Sequence, residues 1–291
     1  MYSQAIVVGT GSVANFCAGE LQKRGVAVSF IESRPDGVGT SEAMCRKKRI
    51  PYACLGKEAL NSRLISIDDD TLVVSASNRY LFPEAVLARP CLFVVNYHGA
   101  LLPKHPGRNS EAWAIYEGDA EGGITWHKVV ADVDAGDVFV QKSVPITENT
   151  TSFSLLREYA RLAQQSFLEI VDGLLYGSAV AVKQIGERDP VMYSWMRPNE
   201  GILDVTWPCK KVSAFLRAFD YGPLHALGCP QVMIEGERYD IQNYKLDNVC
   251  DLKAQAGWVA QSSLWRMADD NLVIEMNLMH SKNTQRRMKD G

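Results

Sequence analysis

The sequence has no long apolar run. None of its hydrophobic stretches approaches the roughly 20 residues that a helix needs to span a bilayer. The first residues lead directly into a short strand-like run, Ala5 to Val8, without the basic segment and the longer apolar segment of a signal peptide. We therefore expect a soluble, cytoplasmic protein.

An excess of charge of either sign is also lacking. The 291 residues contain 31 Lys and Arg against 34 Asp and Glu, which gives a net charge of −3 and a pI near 6.0. A protein that binds polyanions over a broad surface carries clustered cations, and this balance does not supply them. The composition gives no reason to expect a nucleic acid or a membrane as partner.

Paired cysteines and metal-ligand spacings are absent as well. The cysteines are Cys17, Cys45, Cys54, Cys91, Cys209, Cys229 and Cys250. Their number is odd and no two of them have the C-x-x-C spacing, so we interpret them as reduced thiols that behave as small hydrophobes. No group of His, Cys, Asp and Glu has the spacing of a metal site, and we predict no metal.

What the sequence does have is a regular alternation of short apolar runs and helical patterns. With 46% hydrophobic residues the chain can fill sizeable cores, and its length suits two domains. The alternation predicts the α/β class, as a Rossmann-like, mostly parallel sheet with helices on both faces. The predicted strands are Ile6–Val8, Ala27–Ile31, Leu72–Val74, Leu92–Val95, Gly123–Val130 and Val138–Val144. The predicted helices are Val13–Lys23, Pro83–Leu87, Ser110–Tyr116 and Phe153–Leu175.

The pattern changes after Lys183, where glycine and proline break the chain and later runs alternate as antiparallel strands do. We predict a first domain over residues 1–183, a linker over 184–204 and a smaller domain over 205–291. One predicted helix, Val212–Phe219, and five short strands suit an OB-like β-barrel in this smaller domain. The strands are predicted at Gln231–Ile234, Arg238–Tyr244, Gly257–Gln261, Leu264–Met267 and Leu272–Asn277, with a tight turn over 269–271.

The first motif with a functional meaning is a glycine turn. Gly9-Thr10-Gly11-Ser12-Val13-Ala14 follows the first strand and opens a helix, and Glu32 lies at the end of the second strand. This is the G-x-G-x-x-A fingerprint of dinucleotide binding, so an NAD-dependent oxidoreductase is one hypothesis. An equally open interpretation is that Gly9 and Gly11 only permit a tight turn. The rest of the chain shows no residues that we can assign to hydride transfer.

A second constellation is longer and more specific. It consists of Asn96-Tyr97-His98-Gly99-Ala100-Leu101-Leu102-Pro103, Gly107, Gly123-Ile124-Thr125-Trp126-His127, Asp132-Val133-Asp134-Ala135-Gly136-Asp137 and Gln141. It resembles the folate-dependent formyltransferase family, whose pattern runs Asn-x-His-x-Ser-Leu-Leu-Pro, Gly-x-Thr-x-His and Asp-x-Gly. One position departs, because Ala100 stands where the family has serine. The resemblance implies an N-formyltransferase that uses 10-formyltetrahydrofolate as co-substrate.

The resemblance also implies three catalytic residues, with roles that the chemistry requires. Attack of an amine on a formyl carbon builds negative charge on oxygen, and the Asn96 amide can donate to that oxygen. His98, on the same face of an extended segment, can take up the amine proton and in its charged form help to hold the oxygen. Asp134 can orient the imidazole or relay protons through water. Asp132 and Asp137 are competing carboxylates, and the alignment of the motif selects Asp134.

In this family the pterin is bound largely by the backbone of two loops. One loop precedes the Asn-x-His strand and the other carries the aspartate; for the first, an ordinary place in the core is the competing explanation. The predicted co-substrate residues are Tyr80, Leu81, Phe82, Val129, Val130, Ala131, Asp132 and Val133. Residues 104–113 are expected to contribute to the acceptor site, and His127 is expected to be structural or to face the substrate.

The amine acceptor is less constrained. Residues 200–204 and 215–220 resemble the start of the C-terminal domain of the methionyl-tRNA branch, which argues against the glycinamide ribonucleotide branch. From Glu200 onward, however, 11 Lys and Arg face 12 Asp and Glu, the wrong balance for a surface that binds tRNA.

The motifs Asn-Tyr-His, Gly-Ile-Thr-Trp-His and Phe-Asp-Tyr-Gly-Pro are most similar to formyltransferase domains of non-ribosomal peptide synthetases. Such domains formylate the amine of an aminoacyl group on a carrier protein. We therefore expect an amino acid or a carrier-bound aminoacyl group as acceptor, with sugar-nucleotide and methionyl-tRNA formyltransferases as alternatives. The chain ends at Lys289-Asp290-Gly291 without an evident terminal element, as a domain of a larger multidomain synthetase would. A non-catalytic folate-binding or carrier-docking module is a further hypothesis, against which the intact Asn, His and Asp set argues.

Overall fold

The computed structural model describes residues 1–34, 39–248, 257–258, 263–269 and 272–281, and its contacts divide the chain into two compact units. The first unit consists of Met1–Ser110, Gly122–Val144 and Leu156–Met192, and the second of Glu111–Glu121, Pro145–Leu155 and Tyr193–Gly291. Among the helices that the structure describes, none has the length and apolar content that crossing a membrane requires. The predicted domain bounds, 1–183, 184–204 and 205–291, stay a prediction.

A seven-stranded sheet forms the basis of the first unit. Its strands are β1 Gln4–Gly9, β2 Ala27–Ser33, β3 Tyr52–Leu55, β4 Thr71–Ala76, β5 Leu92–His98, β6 Glu121–Lys128 and β7 Val138–Pro145. They are arranged in the order β3-β2-β1-β4-β5-β6-β7. Strands β1 to β5 pair in parallel, and β6 runs antiparallel to β5. The predicted Rossmann-like, mostly parallel sheet is confirmed.

Helices alternate with the strands along much of the chain. The α-helices of the described residues are α1 Gly11–Lys23, α2 Glu42–Lys48, α3 Lys57–Ile65, α4 Glu84–Leu87, α5 Ser110–Glu117, α6 Ser152–Tyr176 and α7 Cys209–Phe219. On one face of the sheet an apolar core joins β1, β4 and β5 to α3 and α4. Its buried side chains include Ile6, Val73, Val94, Leu60, Leu64 and Val86.

The opposite face of the sheet is covered as well. Trp126 of β6 pairs with Tyr97 of β5, one position along from Asn96, so both side chains point away from the face that carries Val94. The Trp126 ring lies 5.1 Å from the ring of Phe167 in α6, and its Nε1 donates to the Ala163 carbonyl at 3.1 Å. The sheet is therefore buried on both sides, as a parallel sheet must be.

The glycine turn between β1 and α1 serves packing. A Cβ atom on Gly9 would lie 1.8 Å from the Ala76 carbonyl oxygen of β4, so only glycine fits this close approach. The Thr10 amide donates to the same carbonyl. Glu32, 1% exposed, accepts hydrogen bonds from the backbone amides of Thr40 and Ser41. Both features that suggested a dinucleotide site thus have a structural use within the fold.

One stretch of the first unit is not assigned by the sequence analysis. Between residues 34 and 70 the structure has α2, β3 and α3, which the apolar pattern did not reveal. These elements have only seven, four and nine residues, and β3 is the edge strand of the sheet, where every side chain is only partly buried. Short, half-buried elements carry too few apolar positions to set a period.

The second unit contains a smaller sheet. Its strands are β8 Ile202–Leu203, β9 Gln231–Ile234, β10 Glu237–Asn248, β11 Gly257–Trp258, β12 Leu264–Ala268 and β13 Leu272–His280, in the order β11-β12-β13-β10-β9-β8. The pairs are antiparallel except that β8 and β9 are parallel. The predicted helix Val212–Phe219 lies within α7. A mixed α/β chain with a second, small sheet is confirmed, and the OB-like barrel stays a prediction.

Several predictions for this unit fall outside the described residues. They concern residues 259–261 of a predicted strand, residues 270–271 of the predicted turn, Cys250, and the end of the chain at 289–291.

The buried Glu32 carboxylate provides a test of the first unit's stability. We expect Glu32→Ala to lower the free energy of unfolding by about 2 kcal/mol, because two backbone amides, one of them in the buried residue Ser41, lose their acceptor. Urea denaturation followed by circular dichroism measures this change. Glu42→Ala is the matched control: its carboxylate is 58% exposed and pairs with Arg46, so the change should stay below about 1 kcal/mol. Equal losses in the two variants would contradict the role given to Glu32.

Candidate active site

Three neighbouring strands place polar side chains in one row at the carboxyl end of the parallel sheet. Ser75 of β4 is paired with Asn96 of β5, and Asn96 is paired with His127 of β6. Directly paired residues point to the same face of a sheet. His98, two positions after Asn96, shares that face. The row lies beyond Val73 and Val94 on the face that carries the apolar core, so the core gives way to polar groups where open α/β sheets bind ligands.

The location of Asn96 and His98 differs from the prediction in one respect. The apolar run predicts a strand that ends at Val95, with both residues in the following segment. In the structure β5 continues to His98. Pairing with β6 extends the strand, since the register joins Val95 to Lys128 and His98 to Thr125. The two side chains are therefore fixed by the sheet itself.

A tight loop after β6 brings Asp134 to this row. Asp134 has a φ of 52°, a left-handed conformation that aspartate tolerates better than most residues. A Cβ atom on Gly136 would lie 1.8 Å from the Lys128 carbonyl oxygen, so the loop can close against the strand only with glycine there. Gln184 donates through Nε2 to the carbonyls of Asp134 and Gly136, at 2.8 and 2.9 Å. The Asp-x-Gly motif is thus a requirement of the loop's shape.

The Asp134 carboxylate contacts three groups at once. Oδ2 accepts the Gly107 amide at 2.8 Å and lies 3.4 Å from His98 Nδ1, while Oδ1 lies 3.4 Å from His127 Nε2. Its side chain is 11% exposed. Burial by itself raises the pKa of this carboxyl, but its contacts with His98, His127 and the Gly107 amide outweigh burial and hold the pKa well below its usual range. Asp134 is therefore an anion at neutral pH.

His98 is held by oxygen atoms on both sides of its ring. Nε2 lies 2.9 Å from the carbonyl oxygen of His105, which can only accept, so Nε2 carries a hydrogen. Nδ1 faces the Asp134 carboxylate. An imidazolium ring satisfies both acceptors, whereas in the neutral ring the contact of Nδ1 with the carboxylate is not a hydrogen bond. The surroundings of His98 are thus built to stabilise a ring that has gained a proton.

Hydrogen bonds on both sides fix the Asn96 amide. Its Oδ1 accepts from Ser75 Oγ at 2.7 Å, and its Nδ2 lies 3.1 Å from His127 Nε2. His127 Nδ1 lies 2.9 Å from the Lys128 carbonyl and so carries a hydrogen, which leaves Nε2 of the neutral ring to accept from Asn96. Among the described residues, no acceptor is found for the second N–H of Asn96. The site can therefore offer that hydrogen to a substrate oxygen.

Further contacts hold the segment after His98. Thr125 Oγ1 donates to the Ala100 carbonyl at 2.6 Å and accepts from the Leu102 amide at 3.2 Å. Gln141 Nε2 donates to the Leu102 carbonyl and to Thr125 Oγ1. Both residues belong to the recognised motifs, and their role here is to keep the loop after β5 against the sheet.

Residues 184–192, which the sequence analysis assigned to a linker, belong to the first unit and support the site. A Cβ atom on Gly107 would lie 2.2 Å from the Met192 carbonyl oxygen, and the Arg108 amide donates to that carbonyl. The His105 amide donates to Asp189 Oδ2 at 3.0 Å. This segment therefore holds the Gly107 amide that binds Asp134 and the His105 carbonyl that faces His98.

The predicted co-substrate residues before β5 have different surroundings. Tyr80 is 7% exposed, belongs to the apolar core and packs edge-on against Phe82. Its amide donates to Asn78 Oδ1 at 3.0 Å, and its carbonyl accepts from Asn78 Nδ2 at 3.1 Å. Leu81 is 66% exposed. The side chains of Tyr80 and Phe82 serve the core, and Leu81 is the member of this loop that solvent reaches.

The predicted residues after β6 form the other loop. Val129 packs against the apolar core, and its amide donates to the Val94 carbonyl at 2.9 Å. Val130 is 37% exposed, and Ala131 and Asp132 are exposed. The Val133 carbonyl accepts a hydrogen bond from Arg188. Val130, Ala131 and Asp132 are thus the members of this set that remain accessible.

Sequence reasoning missed one member of the polar row, Ser75, and left the role of another, His127, open. Ser75 was not singled out, although a polar residue at the end of the buried run Leu72-Val73-Val74 is a signal for the ligand edge of such a sheet. His127 was expected to be structural or to face the substrate, and the structure joins it to Asn96. Asp132, one of the competing carboxylates, is exposed. In the described part of the chain no three His, Cys, Asp or Glu side chains are grouped to hold a metal ion.

The chain is similar in sequence to known formyltransferases. Residues 6–171 match the family model described as Formyl transferase. A GDP-perosamine N-formyltransferase of Brucella melitensis is 28% identical over 230 residues, which cover 76% of this chain and 86% of that protein. A methionyl-tRNA formyltransferase of Acidithiobacillus ferrooxidans is 30% identical over 235 residues, which cover 75% of this chain and 73% of that protein.

Solved structures show the same fold. The chain is similar to WlaRD, a sugar 3N-formyl transferase crystallised with dTDP and 5-N-formyl-THF, with a TM-score of 0.74 and 15% identity over 96% of this chain and 98% of that one. It is also similar to an N-formyltransferase of Helicobacter canadensis in complex with folinic acid and dTDP-3-aminofucose. There the TM-score is 0.73 and the identity 16%, over 96% of this chain and 100% of that one.

The lowered pKa of Asp134 predicts a pH dependence of stability. Because folding lowers this pKa, the carboxylate stabilises the fold above the ordinary carboxyl value of about 4, and this contribution is lost as the pH falls further. Urea denaturation should give wild type a larger free energy of unfolding than Asp134→Asn at about pH 5. The difference between the two proteins should become smaller toward about pH 2. Asp132→Asn, at an exposed carboxylate, is the control and should follow wild type. A gap for Asp134→Asn that does not change with pH would refute the assignment.

Proposed function

The chain belongs to the formyl transferase family, and on that premise we propose that it transfers a formyl group from 10-formyltetrahydrofolate to a primary amine. The observation that carries the proposal is the arrangement of Asn96, His98 and Asp134 at the carboxyl edge of the sheet, with an N–H of Asn96 left for a substrate oxygen. Structural neighbours crystallised with 5-N-formyl-THF and folinic acid support a formyl-folate as co-substrate.

The proposed residue roles follow the charges that develop during the transfer. The amine nitrogen bonds to the formyl carbon, the bond from that carbon to N10 of the folate breaks, the amine loses a proton and N10 gains one. Asn96 donates its second N–H to the formyl oxygen as negative charge builds there. His98 takes up the amine proton, and the resulting imidazolium faces the Asp134 carboxylate and the His105 carbonyl.

The pKa of Asp134 bears on which of its two predicted roles is favoured. A carboxyl whose pKa is held well below its usual range is a weak proton acceptor at neutral pH. We therefore propose that Asp134 orients His98 and stabilises its charged form, in preference to relaying protons itself.

For the acceptor we propose an amino acid or a carrier-bound aminoacyl group, the substrate class of the synthetase domains that the motifs resemble. The balance of 11 Lys and Arg against 12 Asp and Glu after Glu200 disfavours tRNA. A sugar nucleotide is the second candidate, favoured by the Brucella melitensis relative and by the two solved structures described above. In either case the partner is a small molecule or a carrier protein.

The same proposal includes the co-substrate site, the type of the smaller domain and the location of the protein. The loops of Tyr80, Leu81 and Phe82 and of Val129 to Val133 would bind the pterin, with Leu81, Val130 and Asp132 accessible to it. The smaller domain would be of the OB type, the location cytoplasmic, and the chain a part of a larger synthetase. An NAD-dependent oxidoreductase gains no support, since the buried Glu32 is occupied by two backbone amides.

Substitution of His98 and Asp134 tests the reaction. We expect His98→Ala and Asp134→Asn each to lower formyl transfer by at least about 100-fold, because each removes proton transfer or its electrostatic support. Release of tetrahydrofolate and mass of the formylated amine are the measurements, with thermal unfolding as the check of folding. Asp137→Asn, at the neighbouring carboxylate of the motif, should retain activity. Turnover like that of wild type in His98→Ala would refute the role of His98.

A panel of acceptors tests the substrate class. We expect wild-type protein with 10-formyltetrahydrofolate to formylate aminoacyl carrier proteins or free amino acids faster than amino sugar nucleotides, and methionyl-tRNA least of all. Preference for an amino sugar nucleotide would select the second candidate. A titration with NADH serves as control, and tight NADH binding without folate binding would overturn the proposed function.

A further inference from the structure

Four side chains in the first unit form a continuous chain of hydrogen bonds that passes through the Asn96 amide. Asn78 Nδ2 donates to Ser75 Oγ at 3.3 Å, and Ser75 Oγ donates to Asn96 Oδ1 at 2.7 Å. Asn96 Nδ2 lies 3.1 Å from His127 Nε2, and His127 Nδ1 lies 2.9 Å from the Lys128 carbonyl. With a neutral His127, each hydrogen bond of this chain has its donor nearer the loop after β4 and its acceptor nearer the end of β6.

The direction of the chain fixes which side of the Asn96 amide is oxygen. The hydroxyl of Ser75 accepts from Asn78, so its own hydrogen is available for Asn96 Oδ1. If the amide were reversed, its nitrogen would face Ser75 and its oxygen would face the unprotonated Nε2 of a neutral His127. The Ser75 hydroxyl would then lose its acceptor, and two acceptors would face each other. Ser75 therefore sets the orientation that directs the remaining N–H of Asn96.

The other end of the chain lies in a loop proposed to bind the co-substrate. Asn78 accepts the Tyr80 amide at 3.0 Å and donates to the Tyr80 carbonyl at 3.1 Å. Its second N–H is the one given to Ser75. Asn78 uses its whole amide in this way, so the backbone of the loop and the Ser75 hydroxyl are held by one side chain.

We propose that Ser75 and Asn78 are positioning residues for formyl transfer: they connect the loop of Tyr80 to Phe82 with Asn96 and hold the Asn96 amide in the orientation that serves the formyl oxygen. This inference rests on the proposed function. Neither residue touches the reacting atoms. Ser75 is 2% exposed in β4, and its hydroxyl is used by Asn78 and Asn96. An alanine would fill nearly the same space, so packing alone does not explain a hydroxyl in this position.

The first test distinguishes the effect of the hydroxyl from the effect of side-chain volume at residue 75. Ser75→Thr keeps the hydroxyl. Ser75→Val introduces a side chain with the shape of threonine but without the hydroxyl. We expect kcat to fall about tenfold in Ser75→Val and to stay within about twofold of wild type in Ser75→Thr, because the loss of orientation is smaller than the loss of an oxyanion donor. The KM for 10-formyltetrahydrofolate should not change in either variant. Ser62→Ala, which removes an exposed helix hydroxyl bonded to the Glu58 carbonyl, is the matched control.

We expect a different result for Asn78, because its side chain also holds the loop of Tyr80 to Phe82. We expect Asn78→Ala to lower kcat like Ser75→Val and, in addition, to raise the KM for 10-formyltetrahydrofolate. The double variant, with Ser75→Val and Asn78→Ala together, should have a kcat no lower than that of the less active single variant, since both changes break the same chain of hydrogen bonds. Additive losses in kcat would show that the two residues act separately and would overturn the connection.

A spectroscopic readout tests the chain without any turnover. In protein labelled with ¹⁵N-asparagine, the side-chain amide signals of Asn96 are identified by their loss in Asn96→Asp. We expect these signals to move in Ser75→Val and to stay in place in Ser75→Thr. If the larger side chains prevent folding, Ser75→Ala removes only the hydroxyl and is expected to move the signals in the same way.

The outcomes distinguish the two proposals. Wild-type protein that formylates no amine of the panel refutes the proposed function, and the positioning role falls with it, while the amide signals still report whether the hydrogen bonds exist. Active wild-type protein with an unchanged kcat in Ser75→Val, or with Asn96 signals that do not move, overturns the positioning role alone. Rescue by threonine in both measurements supports it.

Discussion

A buried carboxylate in a left-handed turn determines the geometry of the site. The Asp134 side chain binds the Gly107 amide and faces both His98 and His127, so one anion connects the loop after β6 to two strands and to the loop after β5. A buried anion without such partners would be strongly unfavourable. The partners must therefore be in place for the fold to form around Asp134, and that requirement brings the proposed catalytic groups together.

The approach of those partners depends on glycine where two backbones nearly touch. Gly136 lies against the Lys128 carbonyl and Gly107 against the Met192 carbonyl, each closer than any Cβ atom could tolerate. Gly123 is held in the same way against the Lys142 carbonyl between β6 and β7. These glycines are often taken as marks of flexibility. Here they are positions where the backbone fits only without a side chain, and each supports an element that carries the site.

The dinucleotide fingerprint shows how one motif can have two physical explanations. Gly9 and Glu32 occur at the positions that NAD-binding proteins use, yet Gly9 permits β1 to approach Ala76, and Glu32 accepts amides at the start of α2. A parallel sheet needs a tight turn after its first strand whether or not a nucleotide binds there. The longer constellation from Asn96 to Gln141 is more informative because its spacing has no such general cause.

The sequence by itself determined the parallel sheet and most of its strands and helices, and it predicted the residues that move a formyl group. These follow from local patterns: buried runs such as Leu72 to Val74 set strands, and the chemistry of Asn96, His98 and Asp134 depends on residue type. Only the tertiary structure decided that Ser75, Asn96 and His127 form one row. Strand register joins residues 21 and 31 positions apart, and packing of the whole sheet sets that register, which no local pattern encodes.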